Sequence, residues 1–174
     1  MPKIERRNNM DTLVVYKSKT GFAKRYAEII ATALDAQLMP LKDVKPIIMS
    51  RYKTVVFGGG LYAASINGLK KAKKMYSESN ATRFAVFACG ATPNVAASTI
   101  ESMWKKNFTP TELAAVPHFY MQAGLAYEDM SPVDRAVMKM VAKLKGKPGV
   151  ENPLLSSHDI SSEEYIKPLV DALK

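Results

Sequence analysis

The sequence predicts an α/β fold built on a doubly wound, five-stranded parallel sheet with helices on both faces, on three observations. Five short apolar runs recur along the chain, each near-continuous rather than alternating, and strands of that kind are buried on both faces. Segments with apolar residues three and four apart separate them, which is the period of amphipathic helices. Right-handed crossovers then leave few arrangements of five strands, chief among them the order 2-1-3-4-5. The 174 residues suit one domain with a real core. "MPKIERRNNM" is a polar lead-in, so the single folded unit is expected over residues 11–174, with 1–10 outside it.

"DTLVVYKS" is the first strand, because Leu13, Val14, Val15 and Tyr16 are contiguous and favour β structure. In "GFAKRYAEIIATALDA" the residues Phe22, Tyr26, Ile29, Ile30 and Leu34 mark one face of a helix. "QLMPL" is a short second strand, and "KTVVFGGG" a third that ends in three glycines. "INGLKKAKKMYSES" gives a helix with its lysines outward. "RFAVFACGATP" is the fourth strand, "AASTIESMWKKNF" the next helix, and "VPHFYMQAGLAY" the fifth strand. Trp104 and His118 read as packing residues within these elements.

An extra basic helix follows strand five. "SPVDRAVMKMVAKLKGKPG" has Ser131 as N-cap, Pro132 at the first helical position and Asp134 in the first turn, with Gly146 and Pro148 to stop it. Its apolar face is Val133, Val137, Met140, Val141 and Leu144, and Arg135, Lys139 and Lys143 form a basic stripe at i,i+4 spacing. "SSEEYIKPLVDALK" closes the sequence as a helix that Pro168 must kink or delay.

Composition narrows the function classes. One cysteine and two histidines leave no multi-cysteine zinc or iron–sulfur site and no helical ligand pair. No apolar run reaches the roughly 18–20 residues that span a bilayer, and the start lacks the apolar stretch of a secretory signal, so a cytoplasmic protein is expected. A net charge of +9 suits an acidic partner, whether nucleic acid, an anionic membrane surface or a negatively charged substrate. Lys70, Lys71, Lys73 and Lys74 bring no groove-binding motif with them, so nucleic acid is the weakest of the three.

In an open parallel sheet, ligands bind beyond the carboxyl ends of the strands. Three loops meet there: "SKTGFA" after strand one, "GGGLYAASING" after strand three and "CGATPN" after strand four. In the first, Ser18 and Thr20 bring hydroxyls, Gly21 allows close backbone approach, and the amides of the next helix point outward with the helix dipole behind them. That is chemistry for a phosphate, although the spacing is neither a P-loop nor GxGxxG. A tight turn with no ligand is the other reading of the same residues. Acids of the kind a phosphorylated receiver domain needs are missing from "YKSKT".

"VVYKSKTGFAKRYAEII" resembles the flavodoxin signature, a strand followed by (S/T)-x-T-G-x-T and a helix. The resemblance implies a flavodoxin-like fold in which this loop wraps the phosphate of FMN. Ser18, Lys19, Thr20 and Gly21 match the signature, whereas Ala23 stands where a threonine is usual. The amides of Gly21, Phe22 and Ala23 are then the backbone donors. "VVFGGGLYAASINGLKKAKK" is similar to the third strand and flavin-flanking loop of the family, which makes Gly60, Leu61, Tyr62 and Ala63 candidate ring contacts, with Tyr62 stacking. Cys89, Gly90, Ala91 and Thr92 would edge the ring, and Gly124 opens the turn after strand five. "AGLAYEDMSPVDRAVMKMVAKLKG" resembles the menaquinone-dependent protoporphyrinogen oxidase group, through Asp134, Arg135, Met138 and Lys139. The resemblance implies electron transfer or flavin-dependent oxidoreduction with a redox partner protein or quinone, at an anionic membrane surface or on an acidic tetrapyrrole. The alternative is a flavodoxin-like binding module without FMN, which Ala23 keeps open.

Overall fold

The computed structural model describes residues 11–149, 152 and 155–174; the expected lead-in at 1–10 lies outside them. The main sheet contains β1 (Thr12–Lys17), β2 (Gln37–Pro40), β3 (Thr54–Tyr62), β5 (Arg83–Gly90) and β6 (His118–Gln122), all parallel, in the order β2-β1-β3-β5-β6. Numbered among themselves these five run 2-1-3-4-5, the expected topology. A two-residue strand, β4 (Ser65–Ile66), adds antiparallel to the end of β3. A separate antiparallel pair joins β7 (Gly124–Leu125) to β8 (His158–Asp159).

The apolar runs are continuous because both faces of the sheet are covered. Leu13 and Val15 point to one side and Val14 to the other, as the period of two requires. On the first side, Val55, Phe57 and Val86 meet α3 (Leu69–Ser77) through Leu69, Ala72 and Met75, and α4 (Ala97–Asn107) through Met103 and Trp104. On the second, Val56, Phe87 and Cys89 meet Tyr26 and Ile30 of α1 (Phe22–Ala33) and Leu169 of α7 (Lys167–Leu173). Each such large side chain, moved from water to the interior, contributes about 1.5–3 kcal/mol. Gly58 is opposite Phe87 in register, and a Cβ there would lie 1.8 Å from the Phe87 ring, so the aromatic occupies the glycine's missing side chain.

Several elements depart from the sequence-based expectation. The fifth strand is five residues long, and Ala123 interrupts it before β7. Two short helices are additional: α2 (Pro46–Met49) and α5 (Pro110–Ala115). Strand three does not stop at Gly60; it runs to Tyr62 and turns back through Ala63 and Ala64 into β4. Pro168 delays the last helix, since Glu163–Ile166 forms a 3-10 turn and α7 begins at Lys167. Lys73 is not outward: half-buried, it donates to the Asn107 carbonyl at 3.1 Å and pairs with Glu112 at 3.0 Å. The greatest departure is α6 (Pro132–Lys145), whose apolar residues Val133, Met140 and Leu144 are 71%, 62% and 80% exposed. Arg135 leaves the basic stripe and turns inward, donating to the Glu128 carbonyl with its guanidinium over the Tyr127 ring.

Candidate functional site

Register brings the three loops side by side. Lys17 is opposite Gly59, Gly59 opposite Ala88, and Ala88 opposite Tyr120, so β1, β3 and β5 end at the same edge of the sheet, with β3 running on to Tyr62 and β5 to Gly90. The loops at Ser18, Ala63 and Ala91 leave the sheet from that shared edge, at the crevice where strand order reverses.

The first loop is closed by its own side chain: the Gly21 amide donates to Ser18 Oγ at 3.0 Å. Gly21 has φ +97°, a conformation that favours glycine, and a Cβ there would meet nothing within 4 Å. Helix α1 starts from Gly21 without a side-chain cap. Its first amides therefore lack an intrahelical partner and sit at the positive end of the helix dipole. Thr20 is exposed, Ser18 and Phe22 are half-buried, and Ala23 is buried at 2% exposure among Val14, Tyr26 and Ala27. The usual threonine position is therefore part of the core here, and only its backbone amide is available to a ligand. Arg25, one turn along, is engaged elsewhere. Its guanidinium donates to both Asp159 carboxylate oxygens, at 3.2 and 3.0 Å, and also meets the Ser161 hydroxyl. Burial raises the Asp159 pKa, but hydrogen bonds from Ser161 and Arg25 outweigh it and hold the carboxyl below its ordinary value.

The second loop is a two-residue hairpin. Tyr62 pairs with Ser65 across Ala63 and Ala64, which have φ of +47° and +62°. Positive φ at both central residues is the type I′ arrangement, normally filled by Asn-Gly. Helix α4 supports the hairpin from below. Lys106 Nζ donates to the Ala63 carbonyl at 2.6 Å, Asn107 Nδ2 to the Ala64 carbonyl at 2.8 Å, and Asn107 Oδ1 accepts from the Ile66 amide at 2.9 Å. Tyr62 is 44% exposed at the tip, and a Cβ on Gly60 beneath it would meet open space.

Side chains from β6 pin the third loop. The Tyr120 hydroxyl donates to the Thr92 carbonyl at 2.7 Å. Asn94 and Gln122 exchange bonds: the Asn94 amide donates to Gln122 Oε1 at 2.8 Å, and the Gln122 amide to Asn94 Oδ1 at 3.3 Å. Gln122 Nε2 continues to the Ile160 carbonyl at 3.2 Å and the Tyr165 hydroxyl at 2.6 Å. Ala91 and Thr92 are half-buried, and Gly90 faces Leu61 and the Tyr120 hydroxyl. Cys89 is turned into the core, where burial pushes its thiol up to about 12. Gly124 is buried against β8: a Cβ there would lie 2.2 Å from the His158 carbonyl oxygen, which accounts for the glycine without a ligand.

Helix α6 reaches the same edge. Lys19 Nζ lies 4.0 Å from an Asp134 carboxylate oxygen and 5.0 Å from the centre of the Tyr62 ring. A hydrogen bond to that carboxylate holds the Tyr62 phenol above its ordinary pKa. Asp134, read from the sequence as a first-turn acid and as part of the segment that resembles the oxidase group, thus joins loop one to loop two. Nothing in the sequence pattern points to Asn107, Tyr120 or Gln122, because their partners are far along the chain. The result is an open rim that offers amides, hydroxyls, one lysine and an aromatic face. Among the described residues no group of three or more His, Cys, Asp or Glu side chains is placed to hold a metal ion. A groove of about 390 Å³ between α4, α5 and β6, lined by Ile100, Trp104 and His118 among others, adjoins this rim at Asn94.

The parallel order and its reversal beside β1 define a doubly wound α/β protein, with the three candidate loops at the ends of β1, β3 and β5. More narrowly, the flavodoxin domain model matches residues 13–151, and the chain belongs to that family. Among solved structures, an archaeal flavodoxin is 18% identical over 77% of this chain and 98% of its own, with a TM-score of 0.41. A WrbA-like flavodoxin from Agrobacterium tumefaciens is 18% identical over 71% of this chain and 86% of its own, at 0.41. Oxidised flavodoxin 1 from Bacillus cereus is 13% identical over 78% and 98%, at 0.40. No curated protein sequence matches the chain.

Proposed function

We propose that the protein is an FMN-binding redox module. The carrying observation is the first loop: an uncapped helix start, an open glycine at φ +97° and flanking hydroxyls, in a chain of the flavodoxin domain family. Ser18, Thr20 and the amides of Phe22 and Ala23 would hold the phosphate, and the Gly21 amide would join them by exchanging its bond to Ser18 Oγ for one to the anion. Lys19, in long-range contact with Asp134, has the reach to add a cation. Tyr62, Gly60, Leu61 and Ala63 on one side, and Gly90, Ala91 and Thr92 on the other, would border the ring. Bound FMN supplies one- and two-electron chemistry, and the protein sets its access and potential. The chain's own contribution is binding and orientation: hairpin and third loop are both fixed from beneath by α4 and β6.

Within this reading the partner is a redox protein or a quinone, in the cytoplasm or at the inner face of a membrane. The Asp134–Lys139 segment supports, by its likeness, quinone-linked oxidation of a tetrapyrrole such as protoporphyrinogen. Ala23 favours a second reading, a flavodoxin-like module without FMN, because no hydroxyl stands at that position and the side chain is buried.

Titration of the purified protein with FMN separates the two. Saturable binding, one flavin per chain, is expected by fluorescence quenching and visible absorbance. Thr20→Ala should weaken it by about 1.5–3 kcal/mol, roughly ten- to a hundredfold, the worth of one hydrogen bond to a charged group. A protein that leaves FMN fluorescence unchanged is the module without flavin. Quinone-dependent oxidation of protoporphyrinogen IX, assayed with a membrane fraction, then distinguishes enzyme from carrier.

A further inference from the structure

We infer that the outer face of α6 is a docking surface for an anionic lipid bilayer, and that it carries the candidate flavin edge to the membrane. The helix has two faces of opposite character. At 3.6 residues per turn, Val133, Val137, Met140 and Leu144 fall within an arc of about 60°. Val133, Met140 and Leu144 are largely exposed, and Val137 is half-buried. The body is met by the other side, where Ala142 is buried and Arg135 and Met138 are half-buried. The more apolar stripe of this helix therefore points away from the core that should have taken it, the opposite of an ordinary surface helix.

Charge identifies the occupant. Lys139 and Lys143 line one flank of the stripe, and Lys145 and Lys147 follow at its end, all exposed. The two ionisable side chains of α6 that are not lysines are turned inward, Asp134 to Lys19 and Tyr62, Arg135 to Glu128 and Tyr127. The outer face thus offers apolar side chains and lysine cations with no carboxylate, on a chain of net charge +9. A second copy of the helix would bring lysines against lysines. A protein partner is poorly matched, because interface cores are rich in aromatic residues and arginine and poor in lysine. A bilayer needs only an apolar stripe at headgroup depth with cations beside it. No helix of the described residues is long and apolar enough to cross a membrane, so the contact is one lying in the interface plane. Through Asp134 the same helix touches loop one and loop two, which places the rim beside the lipid surface rather than remote from it.

This deepens the membrane arm of the function proposed above, and its test keeps the two apart. The intact protein is sedimented with vesicles of phosphatidylcholine alone and with phosphatidylglycerol added, at low and high salt. Binding to the anionic vesicles only, weakened by salt, is expected. The charge pair Lys139→Gln with Lys143→Gln should lower it, by about fivefold for each lysine lost. Met140→Glu with Leu144→Glu should lower it at least tenfold while leaving circular dichroism and FMN titration unchanged, since both side chains are exposed. Failure to bind anionic vesicles, or binding indifferent to the Met140 and Leu144 changes, overturns the proposal. So does a dimer in sedimentation equilibrium that those changes dissolve, which would make the stripe a self-association face. Because FMN binding is read on the same samples, loss of one property leaves the other visible.

Discussion

Ala63 and Ala64 show how much a single pair of residues can bend against its own preference. Both hold φ values that an L side chain adopts at a cost of about 1–2 kcal/mol each. The hairpin tolerates this because α4 grips both carbonyls from below and Tyr62 pairs with Ser65. Ala64→Gly should therefore raise stability by about 0.5–1 kcal/mol, the relief of strain less the extra freedom glycine has when unfolded. Urea unfolding is expected to show a higher midpoint with an unchanged slope; a lower midpoint would mean the turn is not strained. Ala23 is legible in another way. Its departure from the signature can be seen in the sequence, but its burial among Val14, Tyr26 and Ala27 cannot, since that depends on how α1 lies on the sheet.

At the scale of elements, the parallel strands were plain in the sequence because burial on both faces leaves them nothing to alternate with. Short helices were not. Helix α5 is only six residues long, too short to show a period, yet it begins with a capping box. The Glu112 amide donates to Thr109 Oγ1 at 3.2 Å, and the Thr109 amide to Glu112 Oε2 at 2.8 Å. "TPTE" was the available signal. Thr109→Ala should cost about 0.5–2 kcal/mol, measured by denaturant unfolding, because Glu112 also anchors Lys73 and so links α5 to α3. For α6 the reverse held. Its period was unmistakable, yet periodicity finds an apolar face without saying what covers it. The candidate site shares this limit: its loops were marked by glycine and hydroxyl residues, whereas the side chains that fix them come from α4, β6 and α6 through contacts no local pattern encodes.

For the whole molecule, the layer between the sheet and α1 and α7 carries two groups that resist ionisation. Burial raises the Tyr26 phenol from 10.0 to about 12, opposed by a hydrogen bond from the Ser162 amide, and raises the Cys89 thiol from 9.0 to about 12. Both are neutral in either state at lower pH, so their contribution is complete below about pH 9. Above it the unfolded chain releases protons that the folded one keeps, and stability falls until both folded groups ionise near 12. The urea midpoint should decline steadily between pH 9 and 12, and Cys89→Ala should remove the part that starts near pH 9. An unchanged profile in that variant would mean the thiol does not contribute.

That same layer sets an order of events on the ribosome. Val14 near one end of the described chain and Leu169 near the other are both wholly buried in it. The opposite layer draws on residues from Leu13 to Phe108 and can gather while synthesis is still under way. The layer holding Val14, Tyr26 and Phe87 keeps an open side until Ile166, Leu169 and Val170 have emerged. On a chain made from its N-terminus, α1 alone therefore covers that side of the sheet until after α6 has been made.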